Sequence, residues 1–154
     1  MRGVRIPAFL AFCSCLVVPR LTLHAATVDP CSLLTVAEVD AVVGIKSLPG
    51  RPYLGSKDIC LFSADTSSFS DQPVVNLMVH DLVVFQGQKN MGPHPLSGLG
   101  DEAYWIGSGS YAKVEVRKGN RAFSVSIAMG KVSKTSQQIE QMEEALAHKV
   151  LARF

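Results

Sequence analysis

The run SYAKVEVRKGNRAFSVSIAM, residues 110–129, constrains the fold more than any other stretch. Gly119-Asn120 has the composition favoured in a two-residue hairpin turn. Folding the run about that turn pairs Val116 with Phe123, Val114 with Val125 and Ala112 with Ile127. Lys113, Glu115 and Arg117 then meet Ser126, Ser124 and Ala122 on the other face. A slip of one residue would turn every apolar side chain to the wrong side, so the pattern fixes an antiparallel register.

Other segments extend this sheet. PVVNLMVHDL places Val75, Leu77 and Val79 on one face and Asn76, Met78 and His80 on the other, a half-buried strand. ICLFSA, residues 59–64, reads as a short strand, and residues 103–107 as the strand before the hairpin. Residues 82–97 are ambiguous: a short helical turn could start them, but Gly92, Pro93 and Pro95 finish as loop; SLPGRPYLGS is a loop with three turn signals. Helices flank the strands. Thr35 with Glu38 three positions on is a capping box, Val39, Val42 and Val43 share a face, and Gly44 sits where a left-handed cap belongs, which predicts a helix over 36–43. At the other end Ile139, Met142, Leu146 and Val150 recur at helical spacing, with His148, Lys149 and Arg153 late, as the macrodipole prefers. The expected fold class is α+β: an antiparallel sheet with the N-terminal and C-terminal helices packed on one face in two layers.

Residues 1–26 read as a secretory leader: Arg2 and Arg5, the apolar run IPAFLAFCSCLVVP, and a small-residue exit at His24-Ala25-Ala26. The run falls short of the about 20 residues of a membrane span. An uncleaved anchor helix and a lipoprotein attached at Cys15 are the alternatives, though FCS before Cys15 makes a poor lipid box and membrane anchoring is doubtful. The 15 Lys+Arg and 13 Asp+Glu of the 154-residue chain include three leader arginines and no leader acid, so residues 27–154 are near neutral. That is a single domain without the strong positive balance of generic nucleic-acid binding, and no nucleic-acid partner is expected. Of four cysteines, Cys31 and Cys60 lie beyond the leader, and an even pair in an exported chain reads as a disulfide. Closing a loop of about 30 residues contributes roughly 3–4 kcal/mol in the chain-entropy model. Free thiols acting as metal ligands or nucleophile are the other possibility, without CxxC spacing or a nearby histidine to favour it.

The stretch GLGDEAYW, residues 98–105, sets Asp101 and Glu102 beside Tyr104 and Trp105. In extended backbone adjacent side chains point to opposite faces, so the two acids do not share one substrate and the two rings split, one to the core and one outward. The order DPCSLLTVAEVDAVVG, Cys60 in ICLF, GLGDEAYW, VEVRKGNRAFSVSI and a terminal amphipathic helix resembles small exported bacterial domains of unknown function, including lipoproteins of the kind common in actinobacteria and related extracellular sensor-type domains. The resemblance implies a two-layer helix-on-sheet domain with Cys31 bridged to Cys60, and no known activity.

His80, His94 and His148 lack the spacing of a preformed metal site and read as solvated surface residues. Neither Ser108 nor Ser110 has the setting of a nucleophile elbow, and no phosphate-binding glycine loop occurs, so neither cofactor nor metal is implied. Lys113, Arg117, Lys118 and Arg121 read as a solvated hairpin end, with an anionic landing patch as the functional alternative. The outer hairpin face of Ala122, Ser124, Ser126 and Ala128 is small throughout and suits close packing with another element or a partner, if no helix covers it. His94 in its proline-bounded loop, with the outward ring of Tyr104 or Trp105, is the second candidate surface. The expected function is a non-enzymatic, periplasmic or secreted binding module for another envelope protein or a cell-envelope polymer. The alternative is a small periplasmic hydrolase built on carboxylates, which a cleft holding Asp101 or Glu102 with another acid would favour.

Overall fold

Thr35 and Glu38 form both halves of the capping box, so α1 runs Val36–Val43 and stops at Gly44, whose φ of 74° is left-handed. A computed structural model describes residues 28–65, 73–108 and 111–154; the leader, residues 1–26, lies outside them. Just before α1, a 3-10 turn at Pro30–Ser32, capped by Asp29, holds Cys31, which is bridged to Cys60.

Among the described residues seven antiparallel strands follow: β1 (Arg51–Pro52), β2 (Ile59–Ser63), β3 (Pro73–Asp81), β4 (His94–Leu96), β5 (Glu102–Ser108), β6 (Tyr111–Lys118) and β7 (Arg121–Ile127). They form one sheet in the order β1-β2-β3-β7-β6-β5-β4. The other helices are α2 (Leu82–Gln88) and α3 (Ser136–Leu151). The class is α+β, as the patterning predicts. Leu77 and Val79 of β3, Val114 and Val116 of β6 and Phe123 and Val125 of β7 face one side and are fully buried with Val39 of α1 and Ile139, Leu146 and Val150 of α3. Burial of side chains of this size contributes about 1.5–3 kcal/mol each, which is what holds the two helices to the sheet.

Three features differ from the sequence expectation. First, the helical turn that could start residues 82–97 is a full helix, and their end is a strand rather than loop. Asp81 accepts hydrogen bonds from the amides of Val83 and Val84, at 3.0 Å each, and starts α2, which packs on the opposite face of the sheet. There Phe85, fully buried, meets Tyr104, Ile106 and Ala122. The sheet is thus covered on one face by two helices and in part on the other by a third. Second, His94 is not in a loop: His94–Leu96 is the end strand, and Pro95 is tolerated because one side of an end strand needs no ladder partner. Third, the hairpin ladder matches the expected register from Val114↔Val125 to Lys118↔Arg121, but the ladder stops there, short of Ala112 and Ile127. Where the expected register would continue, the Ile127 amide instead donates to Oε1 of Glu143 on α3, at 2.8 Å.

Candidate functional site

Asp101 and Glu102 belong to a clasp. The Asp101 amide donates to the Arg117 carbonyl at 2.9 Å, and Asp101 Oδ2 accepts the Gly119 amide at 2.7 Å, so the carboxylate caps the hairpin turn. Gly100, at φ 59°, permits this approach, since a Cβ there would run into the Arg117 carbonyl. Glu102 pairs with Lys89 and lies 3.4 Å from Arg117. The Gly119 amide holds the Asp101 carboxyl below its ordinary value, and Lys89 does the same for Glu102. Both line a hollow of about 370 Å³ with Lys89, Pro93 and Pro95, so the two acids are not split onto opposite faces as alternation predicts: Asp101 precedes the strand and turns to the Gly119 amide. A pair of carboxylates kept ionised in this way lacks the proton that a general acid must donate.

Tyr104 and Trp105 split between the two faces, as alternation requires. Tyr104 is buried, and its hydroxyl donates to the Phe85 carbonyl, tying α2 to β5. Trp105 is half-buried on the α3 side, where its indole N–H donates to Glu143 Oε2 at 2.9 Å. The indole occupies the space that a Cβ at Gly107 would need. His94, the register partner of Trp105, stacks on it with ring centroids 5.1 Å apart and pairs with Glu140. The structure therefore brings His94 and Trp105 together, on the face away from Tyr104. Glu143 is fully buried; burial raises its carboxyl from 4.5 to about 8, against the Ile127 and Trp105 N–H groups, which favour the ionised form. An acid among Ile139, Leu146, Ala147 and Val150 at helical spacing is the sequence signal that marks this residue.

The small side chains of β7 have a different use from the one their pattern suggests. Ala122 and Ser124 are buried, so Ser124 is not open to a partner, while Ser126 is half-buried. Over these short residues the long side chains of the neighbouring strands meet: His80 of β3 donates through Nε2 to Glu115 of β6 at 2.9 Å, and Lys113 pairs with the other Glu115 oxygen. His80 also donates through Nδ1 to the Asp81 carbonyl at 3.1 Å. Two donating ring nitrogens describe an imidazolium. Burial opposes that charge, but the Glu115 carboxylate and the Asp81 carbonyl outweigh it and leave His80 above its ordinary 6.5. His80 and Lys113, side chains expected in solvent, are only 6% and 4% exposed.

At the turn end of the hairpin His80 also lines a groove of about 470 Å³. Ser56, Asp58, His80, Asp81, Asn120 and Arg121 give it polar walls, and Ile59, Met78 and Val84 apolar ones. Ser56 joins it to the β1–β2 turn, which carries Leu54 at 87% exposure, and Val84 joins it to α2, which carries Val83 at 80%. Sequence patterning does not single out these residues because they come from three segments distant along the chain: the β1–β2 turn with the start of β2, the β3–α2 junction, and the hairpin turn. Among the described residues, no group of three or more His, Cys, Asp or Glu is placed to hold a metal ion. No protein-family model matches the chain, and no curated protein matches it.

Proposed function

We propose that this protein is an exported bacterial binding module that engages another envelope protein or a cell-envelope polymer through the groove at the hairpin-turn end of the sheet. The observation that carries the reading is the groove itself: about 470 Å³, with charged, amide and apolar walls. Sites that select a ligand combine apolar area with a few placed polar groups in this way. The leader-like N-terminus and the Cys31–Cys60 bridge support the exported compartment.

A second reading, a small carboxylate hydrolase, draws on Glu143, whose raised carboxyl keeps a proton near neutral pH. It is the weaker one, because both Glu143 oxygens already accept hydrogen bonds inside the core.

Two measurements test the proposal. Expression of the full chain followed by fractionation and mass analysis should recover a soluble product lacking about the first 26 residues, as expected for a cleaved leader; an intact cytoplasmic chain contradicts export. A component of envelope extract retained by the immobilised protein should be lost with Val84→Glu, which places a charge in the groove wall. Retention unchanged by that substitution contradicts the groove as the site.

A further inference from the structure

We propose that the β1–β2 turn is a wedge that inserts into an anionic lipid surface. The inference concerns a contact separate from the groove's ligand and stands or falls on its own measurement. Residues 51–55, Arg-Pro-Tyr-Leu-Gly, are exposed throughout, and Lys57 and Asp58 are exposed beyond the half-buried Ser56. Leu54 is 87% exposed and Tyr53 46%. Among the described residues Leu54 is the one non-glycine with positive φ, at 47°. A leucine in that conformation carries a steric penalty that glycine or asparagine would avoid, and here no burial offsets it. Folding therefore gives no reason for a leucine at this position, whereas a contact outside the chain does.

The base of the turn holds the leucine out. Arg51 and Pro52 pair with Leu61 and Cys60, the Ser56 amide donates to the Tyr53 carbonyl at 2.7 Å, and Cys60 is tied to Cys31. Nothing lies within 4 Å of the position a Cβ would take at Gly55, although Gly55 and Lys57 line a hollow with Val28, Asp29 and Pro30 at the base of the turn. Val83, on the helix whose Val84 shares the groove with Ser56, supplies a second exposed aliphatic group.

The surrounding chemistry selects the surface. Arg51 and Lys57 flank the tip, and among the described residues neither is in an ion pair; Asp58 leaves one net positive charge over 51–58, and Asp29 lies across the hollow that Lys57 lines. An aliphatic tip, a tyrosine beside it and two flanking cations match the acyl, interfacial and headgroup layers of a membrane with anionic lipid. With one leucine inserted and two cations in play, the contact is weak, reversible and salt-sensitive. It is a peripheral contact and needs no lipid attached to the chain.

The test is co-sedimentation of the chain from Thr27, which carries every described helix and strand, with phosphatidylglycerol or phosphatidylcholine vesicles. Binding to phosphatidylglycerol that falls with added salt, and little binding to phosphatidylcholine, is expected. Leu54→Gly should weaken it about tenfold, the loss expected for one buried leucine, while leaving the melting temperature equal or higher because the backbone strain is relieved. Arg51→Gln with Lys57→Gln should weaken phosphatidylglycerol binding and flatten its salt dependence. Absence of vesicle binding by the unaltered protein, equal binding to both lipids, or unchanged binding by a folded Leu54→Gly variant would each overturn the proposal. Exchange protection of 51–55 by a soluble envelope protein and not by vesicles would overturn it too, and would assign the tip to a protein partner. None of these outcomes bears on retention through Val84.

Discussion

Glu115 shows how a single residue can be both costly and necessary. It is fully buried, and its charge is tolerated only because His80 and Lys113 meet it above the small side chains of β7. Removing one member of a buried ion cluster leaves the others uncompensated, so Glu115→Ala should lose about 3–5 kcal/mol in urea unfolding. Gly107 is constrained differently, by contact. Gly107→Ala should push the Trp105 indole off its seat and cost about 1–3 kcal/mol. Trp105 is the chain's one tryptophan, so a shift in its fluorescence reports the displacement directly. In both cases the sequence shows the residue but not its role. A period-two pattern places Glu115 and His80 on one face, yet β7 lies between their strands. Only the short Ala122 and Ser124 explain how the two side chains reach each other.

At the scale of elements, what could be read from sequence is what local chemistry decides. The capping box at Thr35–Glu38 and the Gly44 cap define α1 to the residue, and the Gly119-Asn120 turn sets the hairpin register as far as Val114. The rest depends on contacts distant in sequence. Helix α2 contains two β-branched residues and a glycine, poor intrinsic helix formers. It is held by the Asp81 cap, the buried Phe85 and the Tyr104 hydroxyl. Phe85→Ala should therefore cost about 3–5 kcal/mol and raise amide exchange over Leu82–Gln88 far more than over α1. Equal loosening of both helices would show that α2 is not an independently docked strap. The early end of the β6–β7 ladder has the same kind of cause, an acid from α3 that takes the Ile127 amide. No pattern within the hairpin itself encodes that.

Across the whole molecule, the shifted groups define a pH profile. The folded state holds the Glu143 proton up to about pH 8, whereas the unfolded chain releases it near 4.5. Glu143 therefore makes stability fall as pH rises through that window, with a slope approaching about 1.4 kcal/mol per pH unit. The raised His80 adds stability that is complete below 6.5 and lost as pH climbs through its folded value. On the acid side, the Arg153 hydrogen bond lowers Glu38 to about 2, and Asp101 and Glu102 are lowered as well, so their contributions vanish as pH falls below the ordinary carboxylate range. Asp101 is exposed and Glu38 and Glu102 are only half-buried, so all three are screened and count for less. Stability should peak near about pH 5, and Glu143→Gln should flatten the decline between pH 5 and 8 when chemical unfolding is followed against pH. An unchanged slope in that variant would mean that Glu143 does not hold its proton in the folded state.

The groove joins these scales, since its walls come from β3, α2, the hairpin turn and the β1–β2 turn, elements that share a site only in the complete fold. The most direct measurement is hydrogen exchange on the chain from Thr27, alone and with wall fragments and soluble envelope proteins in turn. Binding through the groove predicts protection at Ser56–Ile59, Met78–Val84 and Asn120–Arg121, with the outer surface of α3 unchanged. Protection confined to β4 and α3, or none with any fraction while the fold and its disulfide remain intact, would contradict the account.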